Sequence, residues 1–238
     1  MWCVKIDELK ILFDDAIIDI CNEKTKFSMQ KIKNIILDYG NVIFMIDFDK
    51  SQAAFTQLGI PEGTTIFAHH GQVALFDEFD KGAIDASQFR DGIRTLIKNP
   101  TLTDMQIDNA WNALLIGVPV GKHDLLLQLK HNYRTFLLSN NNIIHYTYCM
   151  KHIQERYGVQ DNSVFFEQTY YSHMMGMRKP EADIFQYVID KEGLTPGETL
   201  FIDDSPQHLR TAADLGLQTA LCTIEEPLEY IVEKWKLL

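Results

Sequence analysis

Five short apolar runs, spaced along most of the chain, constrain its fold more than any other feature. They lie at residues 34–44, 135–140, 163–166, 199–204 and 218–223, and the first is interrupted by Asp, Gly and Asn. Their branched and aromatic residues are typical of strands that are buried on both faces. Helical patterns separate several of them, at residues 122–131, 180–192 and 206–215. This alternation predicts an α/β fold with a parallel sheet.

Residues 46–119 follow a different pattern, with helical periodicity and no convincing strands. Apolar residues recur at helical spacing near 55–58, 73–79, 89–97 and 105–115. We expect this stretch to form a helical cap inserted after the first strand, with the segment 117–121 as the return hinge because it contains glycine and proline. Residues 29–45 and 120–238 then make up the α/β core.

Residues 1–28 form a separate block at the start of the chain. Their apolar side chains recur at steps of three and four, which predicts an amphipathic helix. These side chains are Ile6, Leu9, Phe13, Ile17 and Ile20. We expect a helical extension that docks on the body of the protein or on a partner subunit. The alternative is an extension upstream of a start at Met29, without a functional role.

The chain carries a formal net charge of −11 over its 238 residues. Such an acidic surface repels phosphate backbones, so nucleic acid is not an expected partner, and an anionic ligand needs local positive charge at its site. No apolar stretch reaches the roughly 18 residues that a membrane span requires, so no membrane association is expected. The cysteines form no CxxC pair, which favours reduced thiols and a cytoplasmic location.

Polar side chains follow several of the predicted strands. In a doubly wound sheet, ligands bind at the carboxyl ends of the strands. The candidates there are Asp38, Ser139 with Asn140, and Asp203 with Asp204, and Arg178 with Lys179 precedes a predicted helix. Carboxylates suit a hard divalent cation, and a hydroxyl, an amide and a lysine suit phosphate oxygens. The set therefore points to a metal and a phosphoryl group.

Four segments in this order carry a resemblance to a known family. They read LDYGNVI at 37–43, FLLSN at 136–140, GMRKPEADIF at 176–185 and FIDDSPQH at 201–208. Over about residues 33–225 the chain resembles the haloacid dehalogenase (HAD) superfamily, subfamily IA, which carries a helical cap. Within it, the chain resembles bacterial sugar-phosphate phosphatases and the phosphatase domain of soluble epoxide hydrolase. The resemblance implies a Rossmann-like core, a helical cap and hydrolysis of small phosphorylated metabolites through an aspartyl-phosphate.

The resemblance also assigns the metal site. It makes Asp38 the nucleophile and, at the same time, a ligand of Mg²⁺. Gly40 would bind the metal through its backbone carbonyl. Asp204 would be a direct ligand, and Asp203 either a ligand or a partner of one. Relatives often carry Asn at the position of His208, which we expect to be an exposed helix residue, the alternative being a change in the contacts around the site.

The phosphate-binding residues follow from the same resemblance. Ser139 would hold the transferring phosphoryl group, and Asn140 would orient the nucleophile or donate to the substrate phosphate. Lys179 would neutralise the phosphate and the nucleophile, beside a helix N-terminus that also favours an anion. His69–His70 falls in the predicted cap and could face the substrate, although a surface histidine pair more often has no such role, and no histidine pair has the spacing of a zinc site.

Gly40 departs from the pattern of most phosphatases in the family. Most phosphatases of the family carry a second Asp at the position of Gly40. It is the general acid/base, and such a group typically contributes about 10²–10⁴-fold to the rate. Its loss should matter least for good leaving groups, so we expect anomeric phosphates to be better substrates than simple alkyl phosphates. Asp47 or Asp49 could replace the acid, but a helix-capping role fits their position better.

Two other functions remain open at this point. One is a metal-independent 2-haloacid dehalogenase, since such relatives also lack the second Asp and often carry a Ser-Asn pair. The Asp203–Asp204 pair favours a metal instead, because adjacent acids need a cation to relieve their repulsion. The other is a non-catalytic phosphate-binding protein of the same fold. The oligomeric state is expected to be a monomer or a homodimer.

Overall fold

The computed structural model describes residues 31–60 and 74–238. The expected extension of residues 1–28 and the pair His69–His70 lie outside the described residues. Ile32–Leu238 forms one compact unit. Cys149 and Cys222 are buried free thiols. No helix in the described ranges is both long and apolar enough to cross a membrane.

A five-stranded parallel sheet forms the centre of the molecule. The described strands are β1 (Asn34–Leu37), β2 (Met45–Ile46), β3 (Leu115–Gly117), β4 (Arg134–Ser139), β5 (Gln168–Tyr171), β6 (Thr199–Asp203) and β7 (Gln218–Leu221). The sheet has the order β5-β4-β1-β6-β7, and β2 pairs with β3 as a separate antiparallel ribbon. Leu37 lies opposite Leu137 on one side and Ile202 on the other. The predicted α/β fold with a parallel sheet is confirmed.

Helices surround the sheet and fill the region between β2 and β3. They are α1 (Phe48–Gln57), α2 (Ala74–Asp80), α3 (Ala86–Ile97), α4 (Asp104–Asn112), α5 (Lys122–Asn132), α6 (Ile143–Tyr157), α7 (Ser172–Met175), α8 (Ala182–Glu192), α9 (Pro206–Asp214) and α10 (Leu228–Lys234). Local sequence explains several of the starts. Asp85 with Gln88 and Thr103 with Gln106 form capping boxes at α3 and α4. Pro206 occupies the first turn of α9.

The sheet is covered on both faces, which explains why its strands are almost wholly apolar. Successive strand residues point to opposite faces. Ile36, Phe136 and Phe201 therefore pack on one side with Phe185 of α8, in a buried apolar cluster. Residues of odd number on β1, such as Ile35, pack on the other side in the cluster that includes α5, α6 and α10.

Helices α1–α4, called here the helical insert, have an apolar core of their own. Its aromatic members are Phe55, Phe76, Phe79, Phe89 and Trp111. The rings of Phe79 and Phe89 stack with their centroids 4.1 Å apart. The antiparallel pair of β2 with β3 brings the two ends of the insert together. The sequence showed no strands here, because two- and three-residue strands carry too little pattern to be recognised.

Two predicted strands differ from the structure. The run at 163–166 is not a strand, because Asp161 caps a 3-10 turn over Asn162–Val164, and the strand is β5 further on. The run at 34–44 is a strand only up to Leu37. After it the chain turns, and the backbone N–H groups of Ile43 and Phe44 both donate to the carbonyl oxygen of Tyr39. Their apolar side chains are buried in a turn rather than in a strand, so hydrophobicity alone was misleading.

The helix expected to begin at Pro180 starts later, at Ala182. Pro180 precedes it and follows Lys179 through a cis peptide bond. The predicted start of α9 at Pro206 is confirmed, and Gly216 follows that helix with a φ of 86°. This left-handed conformation suits glycine after a helix end.

Candidate active site

Three carboxylates meet at the carboxyl edge of the sheet. Asp38 directly follows β1, Asp203 ends β6, and Asp204 follows it. Because β1 and β6 are neighbours in register, the backbone N–H of Asp38 donates to the carbonyl of Ile202 at 2.9 Å. Asp38, Asp203 and Asp204 each offer one oxygen atom, and these atoms lie within 4.8 Å of one another. The topology thus brings together side chains that are distant in sequence.

The side chain of Lys179 is fully buried and bridges two of these acids. Its Nζ donates to Oδ1 of Asp38 at 2.7 Å and to Oδ2 of Asp203 at 2.6 Å. Burial alone would lower the pKa of Lys179, but the charges of Asp203 and Asp38 outweigh burial and raise it. Lys179 is therefore a fixed positive charge beneath the sheet edge.

Both carboxylate oxygens of Asp203 accept hydrogen bonds. Its Oδ2 faces Lys179, while its Oδ1 accepts from the backbone N–H of Ser205 and from Nδ1 of His208, both at 2.8 Å. Burial would raise the pKa of Asp203, but Lys179 and His208 hold it at about 2. The expectation that His208 is merely an exposed helix residue is wrong. α9 begins directly after Ser205, and its first turn directs the imidazole back to the carboxylate.

Asp38 and Asp204 accept fewer hydrogen bonds than Asp203 does. Among the described residues, no hydrogen-bond donor contacts Oδ2 of Asp38 or Oδ1 of Asp204. Burial raises the pKa of Asp38 to about 7, against the opposing effect of Lys179, and burial also raises the pKa of Asp204. Lys179 balances only one of the three carboxylates. The donor set, hard oxygens with excess negative charge, fits a divalent cation of the Mg²⁺ type.

Gly40 lies in the turn after β1. Its carbonyl oxygen accepts from the backbone N–H of Val42 at 2.7 Å. A Cβ at Gly40 would lie 3.2 Å from Cδ1 of Ile46, so this position has little room for a side chain. Asp47 caps α1 and accepts from the backbone N–H of Asp49, which agrees with the capping interpretation.

Ser139 and Asn140 end the neighbouring strand. Ser139 is buried, and within residues 31–60 and 74–238 its hydroxyl makes only a long contact of 3.4 Å, with the carbonyl of Asn140. The Asn140 amide pairs with the backbone of Lys179: Nδ2 donates to its carbonyl at 2.8 Å, and Oδ1 accepts from its N–H at 2.9 Å. We expected this amide to contact the nucleophile or the substrate. In the structure it instead fixes the segment that carries Lys179.

Asn41 also reaches this site, although the sequence pattern did not single it out. Its Nδ2 donates to Oδ2 of Asp204 at 2.9 Å. A signal was available in retrospect, because an Asn next to Gly40 can adopt the left-handed backbone of a tight turn. The pattern alone does not indicate that the Asn41 side chain contacts Asp204, which lies 163 residues further along the chain, directly after β6.

A second polar cluster, called here the junction, joins the helical insert to the core. On the insert it comprises Asp77, Asp80 and Lys81, and on the core Asn142, Ser172, Arg178 and Glu181. Arg178 pairs with Asp77 and lies 3.8 Å from Asp80, and Lys81 pairs with Glu181. The sequence left the role of Arg178 open. Its observed contacts tie the insert to the segment that carries Lys179.

Known proteins are similar to the chain over most of its length. The family model for haloacid dehalogenase-like hydrolases matches residues 32–216. A D-ribitol-5-phosphate phosphatase of Bacteroides thetaiotaomicron is 32% identical over 79% of this chain and 90% of its own. A HAD family enzyme from the same organism, solved with magnesium and inorganic phosphate, has a TM-score of 0.74, 35% identity and coverage of 84% and 98%. A predicted HAD-like hydrolase of Porphyromonas gingivalis has a TM-score of 0.72, 33% identity and coverage of 80% and 90%.

Proposed function

The chain belongs to the haloacid dehalogenase-like hydrolases, and on this premise we propose that it is a Mg²⁺-dependent phosphatase of small metabolites such as sugar or sugar-alcohol phosphates. The observation that carries the proposal is the buried Lys179 between Asp38 and Asp203, next to two carboxylate oxygens that face no donor among the described residues. The similarity to a D-ribitol-5-phosphate phosphatase, and to an enzyme that binds magnesium and phosphate, supports it.

Asp38 is the proposed nucleophile. A carboxylate oxygen of Asp38 attacks the phosphorus, the bond from phosphorus to the ester oxygen breaks with its electron pair on that oxygen, and the alcohol leaves with a proton taken from water. Water then attacks the phosphorus of the aspartyl-phosphate and gives its proton to the solvent, which releases inorganic phosphate and restores the carboxylate. Lys179 opposes the effect of burial on the pKa of Asp38 and so favours the ionised form that attack requires.

Asp38, Asp204 and the carbonyl of Gly40 are the proposed ligands of Mg²⁺. When bound, Mg²⁺ supplies positive charge that offsets the repulsion between the carboxylate and the phosphoryl oxygens. We assign Asp203 to Lys179 rather than to the metal, because both of its oxygens already accept hydrogen bonds. Its role is to keep Lys179 charged and in place.

Ser139 and Lys179 are the proposed contacts to the phosphoryl group. Both are buried at the sheet edge, and α8 begins shortly after Lys179, so its N-terminus also favours an anion. Asn140 acts through Lys179, whose backbone it holds at both the N–H and the carbonyl. Bound Mg²⁺, Lys179 and this helix N-terminus together would give the positive charge with which a chain of net charge −11 accommodates an anionic substrate.

The helical insert is the proposed cap, with the domain limits expected from the sequence. It selects the substrate, since the groups at the sheet edge recognise only phosphate and metal. With glycine at position 40, the alcohol receives no proton from a side chain at that position. We therefore expect hexose 1-phosphates, whose leaving oxygen is a hemiacetal, to react faster than glycerol phosphate. The cytoplasmic location and the oligomeric state stay predictions.

Phosphate release from a panel of phosphorylated metabolites, with Mg²⁺ and with EDTA, tests the proposal. The panel includes ribitol 5-phosphate, hexose 1-phosphates, glycerol phosphate and p-nitrophenyl phosphate. We expect Mg²⁺-dependent release that is lost in Asp38→Asn and kept in Asp49→Asn, which changes an exposed carboxylate on α1.

Two outcomes contradict the proposal. Release of halide from 2-haloacids in EDTA identifies a dehalogenase. Binding of Mg²⁺ and phosphate without hydrolysis of any ester identifies a non-catalytic protein.

A further inference from the structure

The turn that follows β1 holds Asn41 in a left-handed backbone conformation, with a φ of 54°. Glycine adopts this conformation at the lowest cost, and asparagine tolerates it better than most residues. The backbone N–H of Asn41 donates to the carbonyl of Phe44 at 2.9 Å, which closes the turn. The Asn41 side chain therefore projects from a backbone position that is itself fixed.

The oxygen and the nitrogen of the Asn41 side-chain amide each have a hydrogen-bond partner that can play only one role, donor or acceptor. Oδ1 accepts from the backbone N–H of Ile46 at 3.1 Å, and Nδ2 donates to Oδ2 of Asp204 at 2.9 Å. A backbone N–H only donates and an ionised carboxylate only accepts, so the amide has one favourable orientation. The contact with Ile46 thus directs the N–H group of Asn41 at Asp204.

This contact distinguishes the two consecutive acids after β6. Asp203 is held by Lys179, Ser205 and His208. Asp204 is held through one oxygen only, by Asn41, and its Oδ1 has no donor among the described residues. The two side chains are therefore fixed in different orientations by different partners.

We infer that Asn41 is a positioning residue that orients Asp204 for a divalent cation. It also ties together the two segments that carry the proposed ligands, since its own turn contains Gly40 and its side chain reaches Asp204, directly after β6. A glycine at position 41 would satisfy the backbone but leave the Asp204 carboxylate free to rotate. The inference rests on the proposed Mg²⁺-dependent function.

Binding of Mg²⁺ to the full-length protein without substrate, measured by isothermal titration calorimetry, tests the inference. Asn41→Gly keeps the backbone conformation, removes the amide and is the decisive variant, whereas Asn41→Ala removes the amide and also strains the backbone at a φ of 54°. We expect Mg²⁺ to bind roughly tenfold more weakly to both variants, the equivalent of one hydrogen bond to a charged group. At saturating Mg²⁺, the kcat for a phosphate ester should stay within about threefold of the wild-type value, since Asp38 and Lys179 are unchanged.

Lys98→Gly is the matched control, because Lys98 also has a left-handed φ, of 58°, at the end of α3. It should bind Mg²⁺ like the wild type. Wild-type affinity in either Asn41 variant overturns the role of Asn41 while the proposed function stands. A wild-type protein that hydrolyses no ester and binds no Mg²⁺ overturns both.

Discussion

Lys179 and Arg178 are neighbours in sequence, yet they belong to two regions that use charge differently. The buried Nζ of Lys179 lies between Asp38 and Asp203 at the sheet edge. The side chain of Arg178 instead contacts two acids of the helical insert, Asp77 and Asp80. Consecutive residues thus serve the proposed chemistry and the attachment of the insert.

The two regions differ in how much negative charge remains after their acids have paired with cations. At the sheet edge, three carboxylates surround one lysine, so excess negative charge is available for a cation. At the junction, the two cations Arg178 and Lys81 face the three acids Asp77, Asp80 and Glu181, so one negative formal charge is left over there against two at the sheet edge. These ion pairs hold the insert against the core, and the side chains of Arg178 and Asp80 are largely buried there. We therefore expect substitutions in the two regions to affect different parameters.

The largest effect is expected for Lys179→Met. The substitution leaves Asp38 and Asp203 as neighbouring buried carboxylates without their shared cation, and removes a charge proposed to contact the phosphoryl group. The kcat for a phosphate ester should fall by at least about 10³-fold. Steady-state kinetics measure this, with circular dichroism to establish that the variant is folded. A folded variant with wild-type kcat contradicts the role assigned to Lys179.

The next effect concerns the stability of the insert against acid. His145 of α6 stacks on Trp111 of α4 with ring centroids 4.7 Å apart, and burial lowers the pKa of His145 to about 4. The unfolded chain protonates His145 near pH 6.5, so the contribution of His145 to folding stability should fall as the pH drops from about 6.5 to 4, by up to about 3 kcal/mol, while the raised pKa values of Asp38 and Asp80 act in the opposite direction.

Urea unfolding at pH 7 and pH 4.5 measures this loss. His145→Gln should lose less stability between the two pH values than the wild type does. His131→Gln, at an exposed position of α5, is the control and should behave like the wild type. An equal loss in His145→Gln and the wild type excludes His145 as a source of acid sensitivity.

A smaller effect on catalysis is expected for His208. The structure gives it a hydrogen bond of 2.8 Å to Asp203, which in turn holds Lys179. His208→Leu should lower kcat by about tenfold to a hundredfold. His208→Asn should restore most of the activity, because Nδ2 of asparagine lies as many bonds from the backbone as Nδ1 of histidine. If both variants have equal kcat, the hydrogen bond between residue 208 and Asp203 does not contribute to catalysis.

The smallest effect is expected for Arg178→Met, the companion of the Lys179 variant. It weakens the junction without touching Asp38 or Asp203. The KM should rise by up to about tenfold and kcat should stay within about threefold. A loss of kcat as large as that of Lys179→Met would show that the two regions are not separable.

The contrast between the sheet edge and the junction also explains which contacts could be predicted from the sequence. Asp38, Asp203 and Asp204 were recognised because parallel strands end at one edge, so short local patterns were sufficient to bring them together. Arg178 and Asp77 are 101 residues apart and belong to no motif, so their pairing follows only from how the insert packs. The contact of His208 was missed for a related reason, since a single exposed-looking position in α9 does not indicate where its ring points.

Trapping of the covalent intermediate tests the central claim most directly. Borohydride reduces an acyl phosphate, so quenching a turnover with it converts a phosphorylated aspartate to homoserine, which peptide mass spectrometry detects. We predict homoserine at position 38, only with both Mg²⁺ and substrate present, and none in Asp38→Asn. Unmodified Asp38 in an enzyme that is turning over a phosphate ester, or homoserine at another acid, would contradict the account.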